Sequence, residues 1–280
     1  MEAIRSVLKS VRGRDTTDGA GVRLKRIIAQ GALPMLDPFL LLDEFRSDDP
    51  EDYIAGFPDH PHRGFETVTY LVAGSFRHKD SRGHEGRLGP GSVQWMRAGR
   101  GVIHSEMPMQ ENGLSWGFQL WLNLPSRLKM SEPAYQDITP DRIPRVTGKG
   151  ADVKVISGAY GGETGPGKTA LPFTYLDVQL ERGAHFRHGT GKGDNCFLYC
   201  SEGSIETGAP GATQRLMAGS LAVMGEGGTV EAVGGGEGGR FLLCAAPPLN
   251  EPVARGGPFV MNTEEEVLQA FEDYRAGRLG

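Results

Sequence analysis

The feature that most constrains the fold of this chain is the repetition of short runs rich in β-branched and aromatic residues, most of them bounded by turn-forming residues. Forty-two glycines and 18 prolines among the 280 residues are typical of strands joined by tight turns, and they disfavour a mainly helical protein. The runs with strand character are residues 68–72, 92–96, 117–122, 153–156, 176–180, 197–199, 221–224 and 241–244. The pattern therefore predicts an all-β body.

One helix is predicted, near the C-terminal end. Thr263 and Glu266 form a T-x-x-E capping box, which satisfies backbone amides at the start of a helix. Apolar side chains follow at helical spacing and are expected to face the core: Val267, Leu268, Phe271 and Tyr274. Gly277 is suited to close the helix, because glycine readily adopts the left-handed conformation found there.

The middle of the chain predicts a division into two domains. Residues 126–150 are polar and carry three prolines, a composition typical of a connecting segment. This segment separates two β-rich halves of similar length. We therefore expect an N-terminal domain at residues 1–125 and a C-terminal domain at residues 151–280, the latter ending in the helix.

Charge and cysteine content limit the cellular compartments and the classes of binding partner expected for this chain. Thirty basic against 35 acidic residues give a formal net charge of -5, so no basic surface for direct nucleic-acid binding is expected. The three cysteines are an odd number, which disfavours a disulfide framework and favours a reducing compartment. No apolar run approaches the roughly 20 residues that span a bilayer. These features predict a soluble cytoplasmic protein without a membrane partner.

Two short segments each carry a pair of candidate metal ligands. Residues two apart on a strand point to the same face, so His60 and His62 project together. His104 and Glu106 have the same spacing. On neighbouring strands, the two pairs would bring three imidazoles and one carboxylate to one point inside a barrel. Nitrogen and oxygen donors without thiolate suit a divalent ion such as iron, manganese, nickel or copper.

A single His-x-His pattern is often an ordinary strand sequence and not a metal site. Here two spaced pairs occur, each beside a glycine-rich turn, and this combination favours metal binding. Pro61 between the first two histidines disfavours a central position in a sheet. The first pair is therefore expected at a strand entry or barrel rim, where a metal can be reached.

Longer stretches around these residues carry a family resemblance: residues 56–70, 93–106, 119–125 and 257–263. They resemble the signature segments of the pirin family of the cupin superfamily, and the similarity spans nearly the whole chain. The resemblance implies a bicupin, with two cupin (jelly-roll-like) β-barrel domains packed face to face and metal in the N-terminal one only. The ligands implied are His60, His62, His104 and Glu106. The implied cofactor is one divalent transition metal, in the first place Fe(II), with Mn, Ni, Cu or Zn as alternatives.

Glu66, His78 and His84 are further ionisable residues near these motifs. In other cupins the carboxylate four residues after the second histidine, here Glu66, is itself a ligand, whereas in pirins the position of Glu106 takes that role. Glu66 is therefore retained as a residue that orients a ligating histidine, as an alternative ligand or as an alternative base. His78 and His84 lie in a polar hairpin and are expected to be solvated.

The resemblance implies a dioxygenase that opens flavonols such as quercetin with O2. Glu106, or Glu66 if it stands free, would accept the proton of the substrate hydroxyl. Aromatic or soft residues near the motifs are candidates for the pocket wall, and equally for the core: Phe57, Phe65, Trp95 and Met96. The alternative function is a metal- or redox-responsive regulator that binds a transcription factor or a metabolic enzyme as a protein partner, without turnover. A purely structural metal site is less attractive, because such sites are usually rich in cysteine.

The second half of the chain is predicted to hold no metal. His185 and His188 are three residues apart and would face opposite sides of a strand. A zinc site with Cys196 and Cys200 is disfavoured, because no C-x-x-C clip is present. Residues 162–169 match the P-loop pattern, but strand-like residues follow where a helix would be needed to hold phosphates.

Overall fold

A computed structural model describes residues 2–279 of the chain. In chain order its strands are β1 Val7–Arg12, β2 Arg14–Asp18, β3 Val22–Ile28, β4 Phe39–Ser47, β5 Phe57–His62, β6 Phe65–Ala73, β7 Phe76–Asp80, β8 Glu85–Leu88, β9 Val93–Arg97, β10 Val102–Pro108, β11 Ser115–Asn123, β12 Ala134–Ile138, β13 Arg145–Gly148, β14 Ala151–Ser157, β15 Ala159–Tyr160, β16 Glu163–Thr164, β17 Thr174–Leu180, β18 His185–Gly189, β19 Asn195–Thr207, β20 Gln214–Met217, β21 Ser220–Met224, β22 Thr229–Ala246, β23 Ala254–Gly256 and β24 Phe259–Met261. The α-helix α1, Glu264–Arg275, follows β24, and short 3-10 turns lie at Pro50–Asp52, Ser126–Leu128 and Pro140–Arg142. Every predicted strand segment overlaps one of these strands, which confirms the all-β prediction.

These elements form two compact units, and neither unit follows the chain continuously. The first unit comprises residues 14–30, 39–140 and 249–279, and the second comprises residues 2–13, 31–38 and 141–248. The predicted linear boundaries, 1–125, 126–150 and 151–280, differ from these units at both ends of the chain. β1 pairs with β21, which assigns the N-terminal strand to the second unit. The C-terminal segment joins the first unit, where the Val260 amide donates a 3.0 Å hydrogen bond to the Arg63 carbonyl.

The segment predicted to connect the domains contributes a strand to each unit. β12 pairs with β9 in the first unit, and β13 pairs with β14 in the second. Pro133, Pro140 and Pro144 lie beside these strands and not within them, so they remove no hydrogen-bond donor from either sheet. Residues 126–150 are therefore not a purely irregular linker.

The β-body of the first unit consists of two sheets. The larger sheet has the strand order β12-β9-β6-β11-β4-β3-β2, and the smaller has the order β5-β10-β7-β8. Strands of both sheets contribute to one cluster of buried apolar side chains: Leu24, Phe45, Leu71, Phe76 and Leu88. The two sheets of this unit therefore pack face to face around a shared core.

The helix begins and ends where the sequence predicts. The Thr263 hydroxyl accepts a 3.2 Å hydrogen bond from the Glu266 amide, and the Glu266 carboxylate accepts one of 3.1 Å from the Thr263 amide. Val267 and Ala270 pack into a core with β24, whereas Leu268 is 63% exposed. The predicted apolar stripe is wrong at Leu268, and Tyr274 is 40% exposed as well, because the buried face of the helix runs through Val267, Ala270 and Phe271. Among the described residues, no helix has the length and apolar character that crossing a membrane requires.

The second unit is built on a nine-stranded sheet. Its main path is β1-β21-β19-β22-β17-β14-β13, with β18 paired to β22 and β20 paired to β19. Cys196 and Cys200 lie on β19 with their side chains in the apolar core, and neither forms a disulfide. Burial raises the pKa of the Cys196 thiol to about 12. This thiol therefore packs as a small apolar group and does not offer a thiolate.

Candidate metal centre

The predicted ligand pairs lie on β5 and β10, which are hydrogen-bonded antiparallel neighbours. His104 stands directly opposite His60, and Val102 stands opposite His62. Paired residues of antiparallel strands project to the same face, so the three imidazoles share one face of the smaller sheet. β5 is the edge strand of that sheet, as expected for a segment that contains prolines.

The three imidazoles converge on one point. The ring of His60 lies 4.4 Å from that of His104 and 4.7 Å from that of His62, between centroids, and the His62 and His104 rings are 5.1 Å apart. Ring nitrogens, one from each histidine, lie within 4.8 Å of one another. In the part of the chain that the structure describes, no other His, Cys, Asp or Glu side chains form such a group.

The hydrogen bonds of these rings suit metal binding. The Nδ1 atom of His60 lies 2.8 Å from the Pro58 carbonyl oxygen, and Nδ1 of His62 lies 3.4 Å from the Pro258 carbonyl oxygen. Each contact leaves the Nε2 atom of that ring available. Both ring nitrogens of His104 are buried and have no hydrogen-bond partner. A buried polar atom without a partner is costly, and a metal ion would satisfy it, so these residues fit the implied ion.

Burial also sets the protonation state of two of these histidines. It lowers the pKa of His62 well below its usual value, and the neighbouring His60 lowers it further. The pKa of His104 is lowered for the same reasons, by burial first and then by His62 and His60. Both rings are therefore neutral at pH 7. A neutral imidazole is the form that binds metal.

Glu106 lies beside this group and lines the same cavity. A register shift between His104 and Glu106 pairs the glutamate with Phe57 of β5. Its carboxylate lies outside the 4.8 Å group of imidazoles, and its Oε1 atom accepts a 2.8 Å hydrogen bond from the Thr69 hydroxyl. Thr69 also lies 2.6 Å from the side-chain oxygen position of Gln119. Glu106 as a fourth ligand stays a prediction.

Glu66 is not brought to the centre. It lies on β6, three residues before Thr69. Residues three apart on a strand project to opposite faces, so the Glu66 and Thr69 side chains lie on opposite sides of the sheet. Its carboxylate accepts hydrogen bonds from the Trp95 indole at 3.1 Å and from the Arg97 guanidinium at 2.9 Å. Glu66 does not line the cavity that holds the imidazoles. The geometry therefore supports neither an alternative ligand nor an alternative base at this position.

The C-terminal segment closes one side of the centre. The Lys129 ammonium is buried and donates hydrogen bonds of 2.9 Å to the carbonyl oxygens of both Gly64 and Val260. Gly64 has a φ of +91°, and a Cβ atom there would collide with the Val260 carbonyl, so this approach requires glycine. The same segment supplies the Pro258 carbonyl beside His62. The His62 imidazole is thus contacted by Pro258, which lies about 200 positions away in the chain.

A cavity of about 620 Å³ opens beside the imidazoles. Its apolar wall is formed by Leu24, Leu41, Phe45, Phe57, Phe76 and Trp121. Of the predicted pocket residues, Phe57 lines the cavity, and Phe65 packs against the His62 ring at 5.0 Å. Trp95 and Met96 are buried outside it.

Sequence reasoning missed several side chains of this cavity. Trp121 lies 5.1 Å from the His62 ring, between centroids, and Gln119 shares its strand face. These two residues are two positions apart, which places both side chains on one side of β11. That spacing is visible in the sequence and could have indicated that the two side chains face the same cavity. Arg26, Asp43 and Arg255 also line the cavity, but they have no local pattern that indicates it.

The remaining candidate residues lie away from the centre. The His84 side chain is 59% exposed, as predicted, but His78 is buried and lies 3.2 Å from the Asp137 carboxylate. The prediction for His78 is wrong because β12, which carries Asp137, covers it. In the second unit His185 is exposed, and the His188 ring lies 5.8 Å from that of Tyr160, tilted by 48°, without joining a metal group among the described residues.

Comparisons with known proteins agree with this architecture. The Pirin family model matches residues 21–122, and the Pirin C-terminal cupin domain matches residues 175–280. A pirin-like protein of Caulobacter vibrioides is 50% identical over 280 residues, covering 98% of this chain and 99% of that protein. Human pirin is 44% identical over 282 residues, covering 100% of this chain and 96% of that protein.

A solved structure described as quercetin 2,3-dioxygenase from Acinetobacter baumannii superposes with a TM-score of 0.91. It shares 33% sequence identity, and the match covers 99% of both chains. Both halves of the sequence are thus matched, and the relatives align over almost their full length. The chain therefore belongs to the pirin family, whose two cupin domains account for its two β-rich units.

Proposed function

We propose that this chain is a metal-dependent dioxygenase that opens flavonols such as quercetin with O2. The observation that carries the proposal is the convergence of three imidazoles, two of them buried and neutral, beside an aromatic-lined cavity whose wall includes His60 and His62. The similarity to a structure described as quercetin 2,3-dioxygenase supports the same substrate class.

The imidazoles of His60, His62 and His104 would hold the ion, with Fe(II) as the first candidate and Mn, Ni, Cu or Zn as alternatives. A bound divalent ion lowers the pKa of a hydroxyl that meets it. Glu106, which lines the cavity, would accept that proton on its carboxylate.

Thr69 fixes the orientation of this base. A hydroxyl donates only one hydrogen, and here it is directed to Glu106 Oε1 at 2.8 Å. The Thr69 oxygen also lies 2.6 Å from the terminal amide of Gln119. With the hydroxyl hydrogen directed to an ionised Glu106, Gln119 must turn its NH2 group toward the Thr69 oxygen and donate to it. This arrangement holds the remaining carboxylate oxygen free to take a proton.

The cavity suits a planar aromatic substrate. Its volume of about 620 Å³ lies within the range typical of small-molecule sites. Phe45, Phe57 and Trp121 offer flat apolar surfaces on which the rings of a flavonol can stack. Apolar walls also exclude water from the reacting group.

The test is quercetin consumption in air by the full chain, first freed of metal and then loaded with Fe(II), Mn(II), Ni(II) or Cu(II). We expect loss of the flavonol above the buffer blank, with release of carbon monoxide, and we expect Glu106→Gln to reduce it. His84→Ala is the matched control, since its ring is exposed and outside the cavity. Consumption no faster than the blank with every metal would contradict the proposal.

Capture of protein partners from native lysate distinguishes the enzyme from the alternative function, a metal-responsive regulator. A stoichiometric protein partner, found together with no turnover, would favour the metal-responsive regulator over the enzyme. We place the protein in the cytoplasm, in keeping with three buried cysteines that form no disulfide.

A further inference from the structure

Asp43 is a buried carboxylate in the wall of the cavity, and the proposed reaction does not use it. It lies on β4 between Leu41 and Phe45, and all three side chains line the cavity. These residues are two positions apart, so they share the inner face of the strand. The Asp43 side chain is only 5% exposed. A charged group thus stands in an otherwise apolar stretch of wall, as the polar anchors of small-molecule sites do.

The protein uses only part of the hydrogen-bonding capacity of Asp43. Its Oδ1 atom accepts a 3.0 Å hydrogen bond from Arg26 Nε, and its Oδ2 atom accepts one of 2.7 Å from Arg26 Nη2. Among residues 2–279 no further group donates to it. An ionised carboxylate can accept about four hydrogen bonds, so about two acceptor positions of this buried anion are unused by the protein.

The charges around Asp43 favour a neutral ligand over an anionic one. Arg26 also donates a 2.7 Å hydrogen bond to Asp18, so its guanidinium is shared between two carboxylates. The charge of Arg255 acts on both carboxylates as well, which leaves the four groups electrically balanced. Burial raises the pKa of Asp43 to about 6, although Arg26 opposes this rise. Asp43 is therefore ionised but poorly solvated at pH 7, and a neutral hydrogen-bond donor would stabilise it.

The register of the larger sheet fixes how far Asp43 lies from the proposed base. Asp43 pairs with Gln119 on β11, and Gln119 pairs with Thr69 on β6. Neighbouring strands are about 4.8 Å apart, so the backbones at Asp43 and Thr69 are about 10 Å apart across the sheet. The Thr69 hydroxyl donates to Glu106. One flavonol molecule can span the separation between Asp43 and the base.

We propose that Asp43 selects flavonols that carry a hydroxyl group on an outer ring, by accepting a hydrogen bond from that hydroxyl. The 3-hydroxyl of the same molecule would lie at the imidazoles. This inference rests on the proposed function, because it narrows the substrate class of the same cavity. A site built around a buried acceptor rejects an analogue that lacks the donor, because the acceptor then stays desolvated and unpaired. Asp43 thus determines specificity and takes no part in the ring opening itself.

The test compares ligands that differ by one hydrogen-bond donor, by equilibrium dialysis of the full chain loaded with Fe(II) under nitrogen. One pair is 3,4′-dihydroxyflavone and 4′-fluoro-3-hydroxyflavone. The second pair carries the same exchange at position 7, because the heterocycle with the 3-hydroxyl lies between the two outer rings. Fluorine is close in size to a hydroxyl group but cannot donate, and a single outer hydroxyl cannot chelate the metal. At about pH 7.5 Asp43 is ionised, whereas a phenol with a pKa of about 10 is not.

We expect the wild type to bind the hydroxylated member of at least one pair about ten-fold more tightly than its fluorinated counterpart. Asp43→Asn removes the charge and keeps the shape of the side chain, and it should reduce this preference to about two-fold or less. Asp52→Asn is the matched control, since this carboxylate of the same unit also pairs with an arginine, Arg23, but lies outside the cavity. It should leave the preference unchanged.

Equal binding within both pairs by the wild type, or binding of none of the four compounds, would overturn the proposal, and neither result depends on the folding of a variant. A preference that survives in Asp43→Asn would overturn it as well, because another group would then recognise the hydroxyl. Circular dichroism checks that each variant is folded. The assay measures binding without oxygen, so failure of flavonol opening leaves its outcome intact, and an absent preference leaves the oxygenase test intact.

Discussion

His60 and His104 stand directly opposite each other on antiparallel strands, with their ring centroids 4.4 Å apart. The backbone pairing of β5 and β10 therefore sets the distance between two rings that are 44 residues apart in the chain. His62 joins them from the next position on the same face of β5. The candidate metal centre is thus built into a sheet, which holds side chains more rigidly than loops do.

His104→Ala should abolish metal retention. Both nitrogens of the buried His104 ring lack a hydrogen-bond partner. The substitution therefore removes a proposed metal ligand without breaking a side-chain hydrogen bond. We expect metal content, measured by elemental analysis after purification without added metal, to fall from one equivalent to a small fraction. His84→Ala, at an exposed ring, should retain the wild-type content. Unchanged metal in His104→Ala would contradict the assigned centre.

Thr69→Val should lower turnover while metal content stays the same. The substitution keeps the shape of the side chain but removes the hydroxyl that donates to Glu106 Oε1. Loss of one hydrogen bond to a charged group corresponds to about a ten-fold decrease in kcat for flavonol opening. Thr69→Ser keeps the hydroxyl and should stay close to the wild type. Equal rates in the valine and serine variants would refute the orienting role.

Lys129→Met should destabilise the first unit. The buried ammonium donates to the carbonyls of Gly64 and Val260 and, at 2.7 Å, to the Asn123 side chain. Methionine fills a similar volume but leaves three buried acceptors unsatisfied. We expect the free energy of unfolding in urea to fall by about 2–4 kcal/mol. Arg127→Met is the control, because Arg127 is an exposed cation two residues away. If the free energy of unfolding changed equally little in both variants, the role assigned to the Lys129 hydrogen bonds would be wrong.

Asp273→Asn should lower thermal stability in a pH-dependent way. The hydrogen-bonded Arg63 guanidinium, 2.8 Å away, lowers the pKa of the Asp273 carboxyl. A carboxyl whose pKa is lower in the folded state stabilises the protein above its ordinary pKa of about 3.9, and this contribution is lost as pH falls further.

The melting temperature of Asp273→Asn should therefore lie below that of the wild type at neutral pH. The difference should shrink as the pH falls below the ordinary value of about 3.9, because the wild-type carboxyl, whose pKa is lowered in the folded state, then begins to take up its proton. Glu272→Gln, which removes a neighbouring exposed charge, controls for net charge. A difference that does not change with pH would mean that the ion pair with Arg63 does not contribute.

Strand and helix positions could be predicted because their signals are local. The capping box of Thr263 and Glu266 specifies the start of α1 within four residues. The prediction for Leu268 was wrong because helical spacing alone leaves open which neighbour of Val267 faces the core. His78 was assigned to solvent because nothing near it in the sequence indicates that β12 covers it.

The sequence by itself determined that His60 and His62 share a strand face, and that His104 and Glu106 can do the same. Strand geometry repeats every two residues and needs no distant contact. Only the tertiary structure placed β5 beside β10, separated Glu66 from the cavity and brought Trp121 and Arg255 next to it. Those outcomes depend on which strands pair and which segment returns to the sheet, and the energy that decides them comes from packing between residues far apart in the chain.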